Sequence, residues 1–98
     1  MVGKSAVIIY FIDEREFNID TSRGAYFTNP INVTNIFTRV TGANPSNING
    51  TLGVLGNANL FLMNPNGIVF GNAAKLDLKG SFFGTTANSI KFNDRRQK

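Results

Sequence analysis

The sequence predicts an all-β chain wound as a parallel β-helix of about two to three coils, and three observations predict it. Paired apolar residues recur every eight positions: Leu52 and Val54, Leu60 and Leu62, Ile68 and Phe70, Leu76 and Leu78. Turn residues separate the pairs, as Gly56-Asn57, Asn64-Pro65-Asn66-Gly67 and Gly71-Asn72. The composition also suits many tight turns. Fourteen Asn and ten Gly stand among 98 residues, and only 16% are charged, against roughly 25% in an average domain. Asn and Gly tolerate positive φ and punctuate strands.

Residues at i and i+2 point to one face of a strand, so each pair lines one interior wall. A strand of about four residues and a turn of about four make one side; three sides make a coil of about 24 residues, in the range of solenoid repeats. Leu52 is then expected beneath Leu76, and Leu60 near Phe83 or Gly84. The intervening Asn, Thr and Lys face solvent. Past Leu78 the beat shortens, and Phe82-Phe83 and Ile90-Phe92 continue it. An antiparallel meander would space its strands similarly, but it prefers two-residue Asn-Gly loops. Between the pairs, Asn66-Gly67 alone offers one.

The first half is less regular. Ala6 to Ile12 is an apolar run that reads as a buried strand. With Lys4 it imitates a signal peptide, yet it is short, lacks a small-residue cleavage site and meets Asp13-Glu14-Arg15-Glu16 at once. It is also too short to span a membrane. Phe17 to Asp20 alternates with period two, Ser22-Arg23-Gly24 turns, and Ala25 to Thr28 is a strand ended by Asn29-Pro30. In the stretch Ile31 to Val40, Ile36 and Val40 would fit a helical face. The β-branched Val33, Thr34, Ile36, Thr38, Val40 and Thr41 favour strand instead. Asn44-Pro45-Ser46-Asn47 is expected as a turn.

Much chemistry is excluded. Without Cys or His, no disulfide, thiolate nucleophile, Ser-His pair or His/Cys zinc site can be built. The net charge of +4 is uneven: no ionisable side chain lies between Val40 and Ala74, and Lys91, Arg95, Arg96 and Lys98 crowd the end. A nucleic-acid interface needs basic residues on a folded face with aromatic partners; this basic cluster is a solvated tail, so no nucleic-acid partner is expected. The glycines lack the strand-to-helix context of a phosphate loop, and no cofactor or metal is expected. A carbohydrate-active β-helix would need paired carboxylates. Asp77 stands between Lys75 and Lys79 on an outward face, and three of Asp13, Glu14, Glu16 and Asp20 fall in an expected solvated turn. The chain is therefore not read as an enzyme. The sequons at Asn32 and Asn49 are chance in so Asn-rich a chain.

Asn64-Pro65-Asn66-Gly67-Ile68 is the sharpest local signal. Pro at the second turn position pre-sets φ, Asn at the first bonds its own backbone, Gly closes the turn, and Ile68 enters the core. Around it, longer stretches resemble the haemagglutination-activity domain of filamentous-haemagglutinin-like proteins. Glu16-Phe17-Asn18-Ile19-Asp20 is similar to the family's F-N-V-D strand. Arg39-Val40-Thr41-Gly42 followed by Ser46-Asn47-Ile48-Asn49-Gly50-Thr51-Leu52 is similar to its R-V-T-G…S-x-I-x-G-x-L segment. Gly56-Asn57-Ala58-Asn59-Leu60-Phe61-Leu62-Met63 and the Asn64-to-Ile68 signature resemble its G-x-A-N-x-F-L-I-N-P-N-G-I core. Gly71 to Leu78, Gly80 to Phe83 and Thr86 to Ser89 continue the likeness, which covers about residues 16–92 and is most like cyanobacterial members.

The resemblance implies a right-handed parallel β-helix that targets a haemagglutinin- or adhesin-like exoprotein for two-partner secretion and seeds its folding. The implied partner is a dedicated outer-membrane transporter, and the implied location is secreted or at the outer-membrane cell surface. By position, Asn64, Pro65, Asn66, Gly67 and Ile68 carry over the second secretion signature. The first, N-P-N-L, has its nearest counterpart in Asn29-Pro30-Ile31-Asn32, which lacks the last two residues. Family domains are about two to three times longer, so the chain reads as an excised middle: residues 1–15 an atypical lead-in, 16–92 a partial secretion domain and 93–98 a basic tail. Other readings are a structural adhesin fragment binding a host or cell-surface glycan or protein, and a non-functional remnant. Open coil ends imply self-association.

Overall fold

The computed structural model describes residues 8–87, and these contain nine strands and no helix. They are β1 (Ile8–Glu14), β2 (Gly24–Thr28), β3 (Val33–Val40), β4 (Ser46–Ile48), β5 (Thr51–Leu55), β6 (Asn59–Met63), β7 (Ile68–Phe70), β8 (Lys75–Asp77) and β9 (Phe82–Thr85). They form three sheets, in the orders β1-β3-β6-β9, β4-β7 and β2-β5-β8. Every pairing is parallel. A parallel pair cannot be joined by a tight hairpin. Here the chain visits the first face, then the second, then the third before returning, which is a β-solenoid of about three turns.

The eight-residue beat supplies part of the interior, through Leu52, Val54, Leu60 and Leu62, whereas Phe70 and Leu76 of the same beat are about half exposed. Ile36, Ile48, Leu52, Val54, Ala58 and Leu60 form one buried cluster with Ile19, and Ile12, Phe17, Phe27, Ile68, Leu78 and Phe82 pack against it. Leu52 pairs with Leu76, as the spacing predicts. Leu60 pairs with Phe82, one or two residues before the expected Phe83 or Gly84. The coil from Asn35 to Asn59 takes 24 residues, whereas that from Asn59 to Ser81 takes 22. A short turn through Gly80, packed under the Asn59 carboxamide, removes the difference.

Three further expectations change. Ser46 and Asn47 are not turn residues but open β4, because Ser46 is wholly buried and its N–H donates to the Gly67 carbonyl. In the Phe17–Asp20 stretch only Ile19 takes part in a sheet, as a single bridge to Ile48, and its side chain is buried. The first apolar run does form a strand, and β1 continues into Asp13 and Glu14 by pairing with Arg39 and Val40. Yet β1 is an edge, with Phe11 66% exposed, so it is not buried as expected. Residues Ala6 and Val7, the Ile90-Phe92 continuation and the basic tail lie outside the described residues.

Candidate functional site

The corner between the first and second faces carries the Asn-Pro-Asn-Gly signature. Asn64 follows β6 directly and its side chain is wholly buried. Its carbonyl accepts the Gly67 N–H at 3.0 Å, closing a four-residue turn, and its Oδ1 accepts the Asn66 N–H at 2.9 Å. Gly67 has φ 119°, a backbone conformation that side chains rarely adopt. Asn at the first position and Gly at the fourth therefore each have a local reason.

The same turn is fastened to the coil beneath it. Asn64 Nδ2 donates to the Asn44 carbonyl at 3.0 Å and to Ser46 Oγ at 2.9 Å. Asn66 Nδ2 donates to the Gly42 carbonyl at 2.8 Å. Ser46 N–H donates to the Gly67 carbonyl at 2.9 Å. Gly42 in turn stacks on the first coil: its N–H donates to the Arg15 carbonyl, and a Cβ there would run into that oxygen. On the far side the Asn64 N–H donates to the Thr85 carbonyl at 3.0 Å. The corner is a through-stack of backbone and carboxamide groups.

Of the five signature residues, the structure hides Asn64, exposes Pro65 and Asn66, and leaves Gly67 and Ile68 half-buried. Ile68 opens β7 opposite Ser46 and packs against the core. Asn44, whose carbonyl accepts from Asn64, donates its own Nδ2 to Glu16 Oε2 at 2.8 Å.

Asparagines outside the signature work in a related way that sequence reasoning missed. Asn18, Asn29 and Asn59 each accept, through Oδ1, the backbone N–H of a residue one coil on: Asn47, Ala58 and Ser81, each at 2.8 Å. Asn29 also donates to the Pro30 and Val33 carbonyls, so Asn29-Pro30 is a built corner and not merely the end of β2. Gly56 leaves the room: a Cβ there would strike the Asn29 carboxamide. For Asn29 and Asn59, the Gly one coil later (Gly56 and Gly80) was the available signal.

Two outer-surface features accompany the corner. On the first face Phe11, Phe37, Phe61 and Phe83 pair in register across all four strands. Their ring centroids lie 5.5, 4.3 and 4.6 Å apart, the last two stacked. On the third face Tyr26 lies across Gly53, and its hydroxyl donates to Asp77 Oδ2 at 2.7 Å. That hydrogen bond, then lost hydration and the Asp77 charge, raise the Tyr26 pKa above 10.0.

The acids are spread among separate partners. Asp13 and Glu14 belong to β1 and not to a turn, and Asp13 pairs with Arg39 at 3.1 Å in the open. Parallel pairing with β3 outweighs the strand-breaking tendency of acids at an exposed edge. Asp77 is engaged by Tyr26 on another face. Among the described residues, no group of three or more acids is placed to hold a metal ion, and no helix is long and apolar enough to cross a membrane.

No curated protein and no solved structure matches the chain significantly. The family model of the TPS secretion domain matches residues 6–98, which takes in all nine strands and the signature corner. A three-faced solenoid fastened through an Asn-Pro-Asn-Gly turn, matched over nearly its whole length, belongs to the TPS secretion domain family.

Proposed function

We propose that this chain directs an adhesin-like exoprotein to an outer-membrane transporter and provides the coils on which the rest of that exoprotein winds. Membership of the TPS secretion domain family makes it a module of two-partner secretion. The finer reading is supported chiefly by one observation. Asn64 spends both its Nδ2 donations and its Oδ1 on neighbouring backbone and Ser46, and it is wholly buried. A residue so engaged acts by shaping the coil, and the signature serves recognition through the shape it maintains.

The transporter's contact then falls on edge strands and on the neutral Asn/Thr surface, in the manner of strand addition. Among the described residues β7, β8 and β9 end their sheets. Val69, Phe70 and Leu76 are about half exposed along them.

The test is export of the chain behind a grafted signal peptide, with a cognate transporter co-expressed. Export is expected, and Asn64→Ala is expected to impair it more than Asn66→Ala. No export of the parent chain, or export unaffected by both substitutions, would sink the proposal.

A further inference from the structure

The geometry points to a chemical modification site inside the signature: Asn66-Gly67 loses its side-chain amide spontaneously when the corner is open, and the folded corner prevents this. The inference stands on the corner alone and is independent of any transporter.

The chemistry needs only water. The Gly67 backbone nitrogen, after giving its proton to solvent base, attacks Asn66 Cγ. A C–N bond forms, the Cγ–Nδ2 bond breaks, and ammonia leaves, giving a five-membered succinimide. Water then opens the ring at either carbonyl. Opening at Cγ gives aspartate. Opening at the main-chain carbonyl gives isoaspartate, which carries one extra methylene in the backbone. No electrons are transferred. Glycine at the following position makes the attack easiest, because no Cβ shields the nitrogen.

In the folded corner both reacting groups are committed elsewhere. The Gly67 N–H donates to the Asn64 carbonyl at 3.0 Å. The Asn66 carboxamide donates to the Gly42 carbonyl at 2.8 Å, and the Asn66 N–H is held by Asn64 Oδ1 at 2.9 Å. Reaction must therefore wait for local opening, as amide hydrogen exchange does. Asn66 is exposed, so solvent base reaches it as soon as the turn releases. The other Asn-Gly pair, Asn49-Gly50, is an internal comparison, because Gly50 is buried between the carbonyls of Asp20 and Arg23.

Conversion also has a directional consequence. The acid has no Nδ2 to donate, and it sets a carboxylate oxygen against the Gly42 carbonyl. An isoaspartyl backbone cannot close the same turn. A chain that stays open too long is thus marked and hindered from rewinding, so that Asn66 records time spent unfolded.

The experiment incubates the full chain at mildly alkaline pH, with and without urea, and maps aspartate and isoaspartate by peptide mass spectrometry. In urea, conversion is expected first at Asn66 and Asn49. In the folded chain, conversion at Asn66 is expected to slow by at least about tenfold. Pro65→Ala loosens the turn without removing a hydrogen bond, and it should speed conversion at Asn66 in folded protein while leaving Asn49 unchanged. Asn64→Ala should do so more strongly if the variant keeps its β circular dichroism. Equal rates at Asn66 with and without urea would overturn the inference, as would a silent Asn66 in urea while Asn49 converts.

Discussion

The Asn64 carboxamide donates to Ser46 Oγ at 2.9 Å between two wholly buried side chains on successive coils. Neither group has access to water, so removing one leaves the other without its partner. An unpaired buried polar group costs about 1–3 kcal/mol. Asn64→Ala is therefore expected to lower unfolding free energy by about 2–3 kcal/mol in urea titrations, since a second donation, to Asn44, is lost too. Asn66→Ala gives up one solvent-exposed bond, and a loss below about 1 kcal/mol is expected.

Thr38 presents the opposite case. Its Oγ1 is buried without a hydrogen-bond partner, on an inward position between Ile12 and Leu62. Replacing such a hydroxyl by a methyl of similar shape removes a desolvation cost. Thr38→Val is expected to raise the urea midpoint, with a gain of about 0.5–1 kcal/mol. A fall in the midpoint would show that the hydroxyl finds a partner in solution.

The aromatic ladder on the first face should contribute through its middle rungs. Phe61 stacks on Phe37 at 4.3 Å and on Phe83 at 4.6 Å, so truncation there breaks two contacts. Phe61→Ala is expected to cost about 2–4 kcal/mol, less than a fully buried Phe because Phe61 is only half-buried. Phe11→Ala, at the exposed edge with one tilted contact, should cost less than half as much in the same thermal or urea melt.

The bond from Tyr26 to Asp77 gives the fold a pH dependence on the alkaline side. Tyr26 has a folded-state pKa above its ordinary 10.0, first because its proton is held by Asp77. The folded state thus keeps a proton that the unfolded state releases. The stabilisation is full below the unfolded pKa and disappears as pH rises through the folded one. Thermal midpoints measured upward from neutral pH should fall above about pH 10. In Tyr26→Phe part of that fall should vanish; an identical alkaline profile in both proteins would exclude the linkage.

Parts of this structure were legible because they repeat. The Leu52–Leu76 stack follows from apolar pairs at constant spacing, and no knowledge of the third dimension is needed to place it. The partner of Leu60 falls one or two residues short of the spacing because Gly80 lets a turn tighten under Asn59, a contact between residues whose neighbourhood only the coil creates. Ser46 looks like a turn residue by type, and its burial depends on a carboxamide eighteen positions away. Asn29 reads as the end of a strand, while its Oδ1 serves Ala58 on the following coil. The exposure of Phe11 could not be read at all, since an apolar strand looks the same in the middle of a stack and at its edge. The signature itself was visible, but which of its members face solvent was not.

The spacing of the bonds between successive coils, from 18 residues at Asn64–Ser46 to 29 at Asn29–Ala58, has a kinetic consequence. With no hairpin among the described residues, the first contact must close a long loop before any strand gains a neighbour. Each later coil meets an edge already in place and pays that closure against contacts formed at once. Refolding should therefore show a slow initiation followed by rapid growth in one direction or the other, a lag set by the first closed coil and not by the number of coils that follow.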